Sequence, residues 1–353
     1  MRQKWKMARV ALAVLAVTLL VACGGQPPAS ETPPPAPTDA PTAPPPPLDP
    51  ETDEQPEPLL RLDHDGEQID SVAFSPDGNL VATGLFEEVR LWSVPDGDLV
   101  HSIEHRHSIE NLAFSPDGEI LGAGVAVYGV QLSLAADGAQ LHQLGSGHNN
   151  RIAFAPDGET VATGNRQGIV WTWQVETGEQ LDEWQVEESA WLTSLTYSPD
   201  GDVLAAGHYD GYVHIWATSD GTLRTTLEPQ TEYCSATQLD FSTDGELLAM
   251  AGARQGLDHV VRLWRVADGE PARDLPLTRA ANSVAFSPDG QLVAAGTNDG
   301  VTVWQTSDWS VVATMAPLNE DGEPDWVQAV AFSPDSGLLA TATRNGVLYL
   351  WEV

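Results

Sequence analysis

This sequence predicts an all-β fold assembled from seven copies of one four-stranded unit, and three observations carry that expectation. A short spelling, an apolar residue, a small one, an aromatic and then Ser-Pro-Asp-Gly or a close variant, recurs at intervals of 40, 40, 43, 44, 45 and 46 residues. A period in that range signals a four-stranded repeat. Six tryptophans (Trp92, Trp173, Trp216, Trp264, Trp304 and Trp351) fall at one fixed place in the copies. The strand that the seventh copy lacks is found ahead of the first.

The copies begin at Val72, Leu112, Ile152, Leu195, Leu239, Val284 and Val330. In each, apolar and small residues alternate into an aromatic, which reads as a strand. Pro then fixes φ at the second turn position, Asp bonds its own backbone, and Gly supplies positive φ, so the chain reverses tightly. A second strand of small and apolar residues follows, as in Leu80 to Gly84, Thr160 to Gly164 and Leu292 to Gly296. Its small side chains let neighbouring sheets approach. A Gly-bearing turn, such as Asp210-Gly211, Asp299-Gly300, Gln167-Gly168 or Asn345-Gly346, leads to the third strand, which carries the tryptophan; the second copy has Ser133 there. Another turn, such as Pro95-Asp96-Gly97 or Ser219-Asp220-Gly221, opens the fourth strand.

The seventh copy stops after its third strand, within Val347 to Trp351. An orphan strand, Leu59 to Leu62, precedes the first copy. The two are expected to pair and complete one sheet, which closes the array into a ring and removes its free edges.

These repeats resemble the WD-repeat β-propeller family across residues 59–353. That resemblance implies a seven-bladed β-propeller closed by pairing of its N- and C-terminal strands. The match departs from the family at the polar positions. No tryptophan is followed by the signature Asp; Ser93, Gln174, Ala217, Arg265, Gln305 and Glu352 stand there. The Gly-His pair is read only at Gly147-His148, so the hydrogen-bonded tetrad that ties such blades together is expected to be mostly missing, with apolar packing carrying more of the stability.

Upstream of the repeats the chain reads as an address and a spacer. Residues 1–9 are basic and residues 10–22 are uniformly apolar or small, too short a run to span a bilayer but suited to a signal-peptide core. Leu20-Val21-Ala22-Cys23 resembles the lipobox of bacterial lipoproteins. It implies a signal peptide over residues 1–22, cleavage before Cys23, and lipid attachment at Cys23, hence an extracytoplasmic protein held at the cell membrane or cell envelope. Gly24, not Asp, follows, so no inner-membrane retention signal is read. Only Cys23 and Cys234 are present, which excludes a disulfide framework. Residues 26–58 hold 14 prolines; with Cys23 they read as a lipidated, proline-rich stalk over residues 23–58, reaching up to roughly 100 Å at about 3.1 Å per residue.

The charge is lopsided: 51 acids against 16 basic residues. Arg2, Lys4, Lys6 and Arg9 lie in the first nine positions, leaving 12 arginines for everything beyond. Such a surface repels phosphate backbones, so no nucleic-acid partner is expected. Solubility in a salty medium and a specific cationic partner both remain compatible with it.

Catalytic spellings are scarce. His101 to His105 reads H-x-x-E-H, a zinc motif when helical, but it begins on a fourth strand where the two histidines stand about 13 Å apart at 3.3 Å per residue. Neither a G-x-S-x-G elbow nor a phosphate-cradling loop occurs. The acidic stretch Asn319 to Asp325 offers oxygens to a hard cation, yet Pro324 and the irregular spacing favour a solvated loop. No catalytic residue, metal site or cofactor is assigned.

What remains is surface. Loops entering the innermost strands and turns between second and third strands share one face. On the first set lie Trp191, Trp326 and His148; on the second, Arg166, Tyr209, Asn298 and Arg344. These seven are the candidate contacts for a protein or peptide ligand of a monomeric, non-catalytic platform, with Trp191 and Trp326 either presented to a partner or folded back on the blades. A propeller enzyme, a hydrolase or lyase with carboxylates at the channel mouth, is the alternative; a structural envelope component is a third.

Overall fold

The computed structural model describes residues 56–185, 191–229, 234–254, 259–319 and 322–353. The expected signal peptide over residues 1–22, the expected lipid attachment at Cys23 and the expected stalk as far as residue 55 fall outside the described residues. Within them the chain forms seven four-stranded antiparallel sheets with no helix. Each is a blade. The first runs through Ser71–Phe74, Leu80–Gly84, Glu88–Ser93 and Leu99–Glu104, and the next five follow in sequence order, ending at Val311–Met315. The seventh takes Val327–Phe332, Leu338–Thr343 and Val347–Glu352 from one end of the domain and Leu60–Asp63 from the other. The expected closure is present: Leu60 pairs with Leu350, Arg61 with Tyr349 and Leu62 with Leu348.

The first strand of every blade contacts the first strand of the next, and Ser71–Phe74 of blade 1 contacts Val327–Phe332 of blade 7. These seven strands therefore surround a central channel, and the core is a series of apolar layers between blades. The glycine that ends the second strand shows why that strand is written in small residues. A Cβ on Gly164 would lie 2.8 Å from Leu192 of the next blade, and one on Gly296 would lie 2.7 Å from Val327. Both distances are shorter than real contacts, so a side chain there would have to push the neighbouring methyl groups aside.

The turn after the first strand repeats with little variation. In blade 1 the Ser75 hydroxyl donates to Asp77 at 2.6 Å and accepts the Leu80 amide at 2.9 Å, while the Asn79 amide donates to Asp77 at 3.1 Å. Gly78 sits at φ 72°. In blade 7 the same position is Ser336 at φ 63°, a strained place for a side chain; its hydroxyl accepts the Asp289 amide of blade 6 at 3.1 Å.

The polar positions differ from expectation in two ways. First, the tetrad histidine is present, at His64 and not at His148. His64 is fully buried and sits 2.9 Å from the Thr83 hydroxyl, which also accepts the Trp92 indole N–H at 3.1 Å. The Gly-His spelling hides it because His64 follows Asp63. His148, by contrast, is exposed. The Trp-to-Thr half of the arrangement recurs at Trp173 with Thr163 (2.8 Å) and Trp351 with Thr341 (2.9 Å). Blade 5 has Met250 where those threonines stand, and its Trp264 indole nitrogen has no partner.

Second, polar stitches run between blades. The Leu112 amide donates to Ser71 (3.0 Å), Ile152 to Asn111 (2.9 Å), Leu239 to Ser194 (2.9 Å), Phe286 to Asp240 (2.7 Å) and Val330 to Ser283 (3.0 Å). Each bond joins one innermost strand to its neighbour. Apolar packing is thus joined at five of the seven blade junctions by side-chain to backbone bonds, each worth about 1 kcal/mol net.

Candidate binding face

In an antiparallel blade the loop entering the first strand and the turn between second and third strands lie at the same end of the sheet. One backbone hydrogen bond fastens them together. The amide of Arg166 donates to His148 O at 3.1 Å, Tyr209 to Trp191 O at 2.8 Å, Arg344 to Trp326 O at 2.9 Å and Ala126 to Ser108 O at 2.9 Å. The two sets of candidate residues read from the sequence are therefore neighbours, pair by pair.

Their side chains gather in two places. At blades 3 and 4, the Arg166 guanidinium lies 5.4 Å from the Trp191 ring, and Trp191 lies 5.9 Å from Tyr209. Arg166 is held from below by Glu110 at 3.1 Å. At blade 7 the Arg344 guanidinium lies 4.5 Å over Trp326. Neither tryptophan folds away: Trp191 is 56% exposed and Trp326 43%. Tyr209 is exposed as well. Asn298 takes another role, accepting a hydrogen bond at 2.9 Å from Asn282, whose amide also reaches Val327 O. Asn282 thereby braces blade 6 against blade 7, and Asn298 orients it.

The same face carries aromatic surface that the sequence reading does not single out. Phe86 lies between the second and third strands of blade 1 and is exposed; Val127 and Tyr128 occupy the same turn in blade 2. Tyr128 packs 5.2 Å from His107. Val127 is held at φ 72°, a conformation that is a genuine outlier for a β-branched residue, and such strain concentrates at recognition and catalytic sites. The one available signal was positional, because Val127 directly follows Ala126, the counterpart of Arg166, Tyr209 and Arg344 on the backbone ladder.

The channel is polar and differs in kind. A cavity of about 390 Å³ is bordered by Asp70, Glu110, Arg151, Thr193, Thr237 and Asp240 among others. Burial pushes the Asp240 carboxyl up to about 7, against the pull of the backbone N–H groups of Phe286 and Phe241. Burial raises Asp70 too, opposed by Gln68. Arg151 donates to Glu110 O at 2.7 Å, and burial lowers its pKa. Thr237 donates to Ala281 O at 3.1 Å and Thr193 to Ala236 O. These groups are committed to joining blades, and Asp240 spends its carboxylate on the Phe286 amide. The charge of Glu110, on the same wall, also raises Asp70.

Five stretches, residues 56–87, 178–217, 218–265, 277–305 and 316–352, match the family model described as WD domain, G-beta repeat, and together they cover just over half of the chain. The chain belongs to the WD-repeat family. Among curated proteins this WD-repeat chain is similar to small ribosomal subunit protein RACK1z of Arabidopsis thaliana, 32% identical over 97 residues, which is 28% of each chain. It is 34% identical over 94 residues to one of the subunits of chromatin assembly factor 1 from Gallus gallus, covering 24% of this chain and 16% of that protein. Small ribosomal subunit protein RACK1 of Brassica napus is 31% identical over 97 residues, again 28% of each. Each match thus spans less than a third of the relative's length. Two blades of a repeat protein are about that long.

Proposed function

We propose that this WD-repeat protein is a non-catalytic platform for a protein or peptide partner, exported by a bacterium and anchored through lipidated Cys23. The observation that carries the platform is the pair of arginine-on-tryptophan contacts, Arg166 with Trp191 and Arg344 with Trp326, exposed on one face of the ring. Aromatic and arginine side chains supply much of the binding energy at interfaces, and here they stand on rigid blade tops. On a chain with 51 acids against 16 bases, two arginines on an aromatic face also set a charge contrast that orients an acidic or aromatic segment. The names of the similar proteins, drawn from a small ribosomal subunit and from a chromatin assembly factor, describe components of assemblies. The anchor rests on the lipobox resemblance, and the monomer on a ring already closed on itself.

The test compares wild type with Trp191→Ala plus Trp326→Ala as baits in pull-downs from native cell envelope. Loss of specific prey in the double variant supports the face as the site; an unchanged prey set removes it. Continued binding together with loss on substituting channel residues would favour the enzyme reading.

A further inference from the structure

The acidic loop that reads as solvated ends on a buried carboxyl group. Asp325 is 3% exposed. Its amide donates to Pro317 O at 2.7 Å, and its Oδ1 accepts the Trp326 amide at 2.8 Å. Oδ2 is closed to solvent and has no hydrogen-bond partner; among the described residues it is the one carboxylate oxygen in that state. A carboxyl oxygen left without a partner in the interior is among the costlier arrangements a fold can hold.

Asp325 borders a cavity of about 350 Å³ whose wall also carries Asp63, Asn319, Asn345, Leu318 and Arg61. Arg61, the cation of that wall among the described residues, is already engaged: it lies 3.3 Å from Asp63, with its guanidinium 6.0 Å over the Tyr349 ring. Asn319 is oriented by the Glu323 amide, which donates to its Oδ1 at 3.0 Å. Oxygen donors therefore line the cavity from three separate segments, the loop at Asn319 and Asp325, the turn at Asn345 and the closing strand at Asp63.

We propose that this cavity is a binding site for a hard divalent cation, calcium, with Asp325 Oδ2 and Asp63 supplying the charge and the carboxamide oxygens of Asn319 and Asn345 the neutral donors. No group of three or more His, Cys, Asp or Glu side chains is gathered among the described residues, so the donor set is mixed and lacks nitrogen and sulfur. Calcium accepts such a set, whereas zinc prefers imidazole and thiolate. Two carboxylates place the affinity on the order of 10⁻⁴ to 10⁻³ M, the range of extracellular calcium modules.

The test follows thermal unfolding of the full chain in calcium-free buffer and across a CaCl2 titration to about 10 mM, well above that range. Matched MgCl2 and NaCl series are needed because so acidic a protein gains stability from any cation by screening. Wild type, Asp325→Asn and Asp63→Asn are compared. The expected result is a saturable, calcium-specific rise in Tm in wild type, reduced in both variants to the level that NaCl produces. Asp325→Asn is isosteric and keeps an oxygen to accept the Trp326 amide, so it stays folded without calcium. Terbium luminescence sensitised by the adjacent Trp326, displaced by calcium and lost in Asp325→Asn, gives a direct reading of occupancy. An equal calcium shift in wild type and Asp325→Asn, or no calcium-specific shift in wild type, overturns the proposal.

Discussion

Leu60 stands opposite Leu350 in an antiparallel register that brings the segment entering the domain onto the third strand of the last blade. The Leu59 amide extends the pairing by donating to Leu350 O at 2.8 Å. Removing residues 59–62 strips the outer strand from blade 7 and uncovers Leu348 and Leu350, both fully buried. That deletion is expected to lower Tm by more than roughly 10 °C, since several kcal/mol of ladder bonds and apolar burial go with it. Deleting residues 26–55 is expected to leave Tm within about 2 °C of wild type, because a segment of that composition packs no core. Equal melting temperatures for the two deletions would contradict ring closure.

Thr83 serves two buried groups at once, His64 and the Trp92 indole, whereas Thr341 serves the Trp351 indole. Truncating a shared acceptor orphans everything that leaned on it, at about 1–3 kcal/mol for each buried group. Urea denaturation should therefore rank Thr83→Ala as more destabilising than Thr341→Ala. A Thr83→Ser variant keeps the hydroxyl and is expected to recover most of the loss.

The ring was legible in the sequence because its signals are local. Pro, Asp and Gly dictate a turn within four residues, and the tryptophans mark one strand of each unit. His64 was not legible, because its role depends on reaching Thr83 in the next blade and its neighbour Asp63 breaks the expected spelling. The candidate face was half legible. Trp191 and Trp326 could be placed on loops from spacing, but their pairing with Arg166 and Arg344 depends on a backbone bond between segments that are distant in the chain. Exposure of Phe86 and Tyr128 depends on which way a turn points, and composition carries no record of that. Asp325 shows the reverse error: an acid in an acidic run reads as solvated, and only the cavity around it shows that it is buried.

The proposed lipid anchor at Cys23 is tested apart from the fold. Cys23→Ala is expected to move the protein from the membrane pellet to the soluble fraction, with an unprocessed signal sequence visible as a larger mass. A single acyl chain would hold only marginally, and two or more make attachment stable. Persistence in the pellet after washing with high salt would point to a different attachment.

Two sets of buried groups make the stability depend on pH in opposite directions. Burial lowers His64, His105 and His214 from 6.5 to about 4, with Arg90 adding to the effect on His64 and His208 to that on His214. Their neutral rings bind protons only after unfolding, so stability falls as pH drops from about 6.5 toward 4, on the order of 3 kcal/mol each for His64 and His105 at full effect. Asp240 runs the other way. Its carboxyl, raised to about 7 by burial, stays protonated in the fold where the unfolded chain has released the proton, so its contribution is present below about 4 and is lost as pH rises through 7. The windows overlap, and because three histidines oppose one aspartate, wild-type stability still rises between about pH 4 and 6.5, less steeply than the histidines alone would make it. Asp240→Asn keeps an oxygen to accept the Phe286 amide but cannot titrate. Guanidinium denaturation of that variant is expected to show stability climbing by several kcal/mol from about pH 4.5 to 6.5, and to exceed wild type at about pH 8. A variant profile parallel to wild type would mean that Asp240 does not hold its proton in the folded protein.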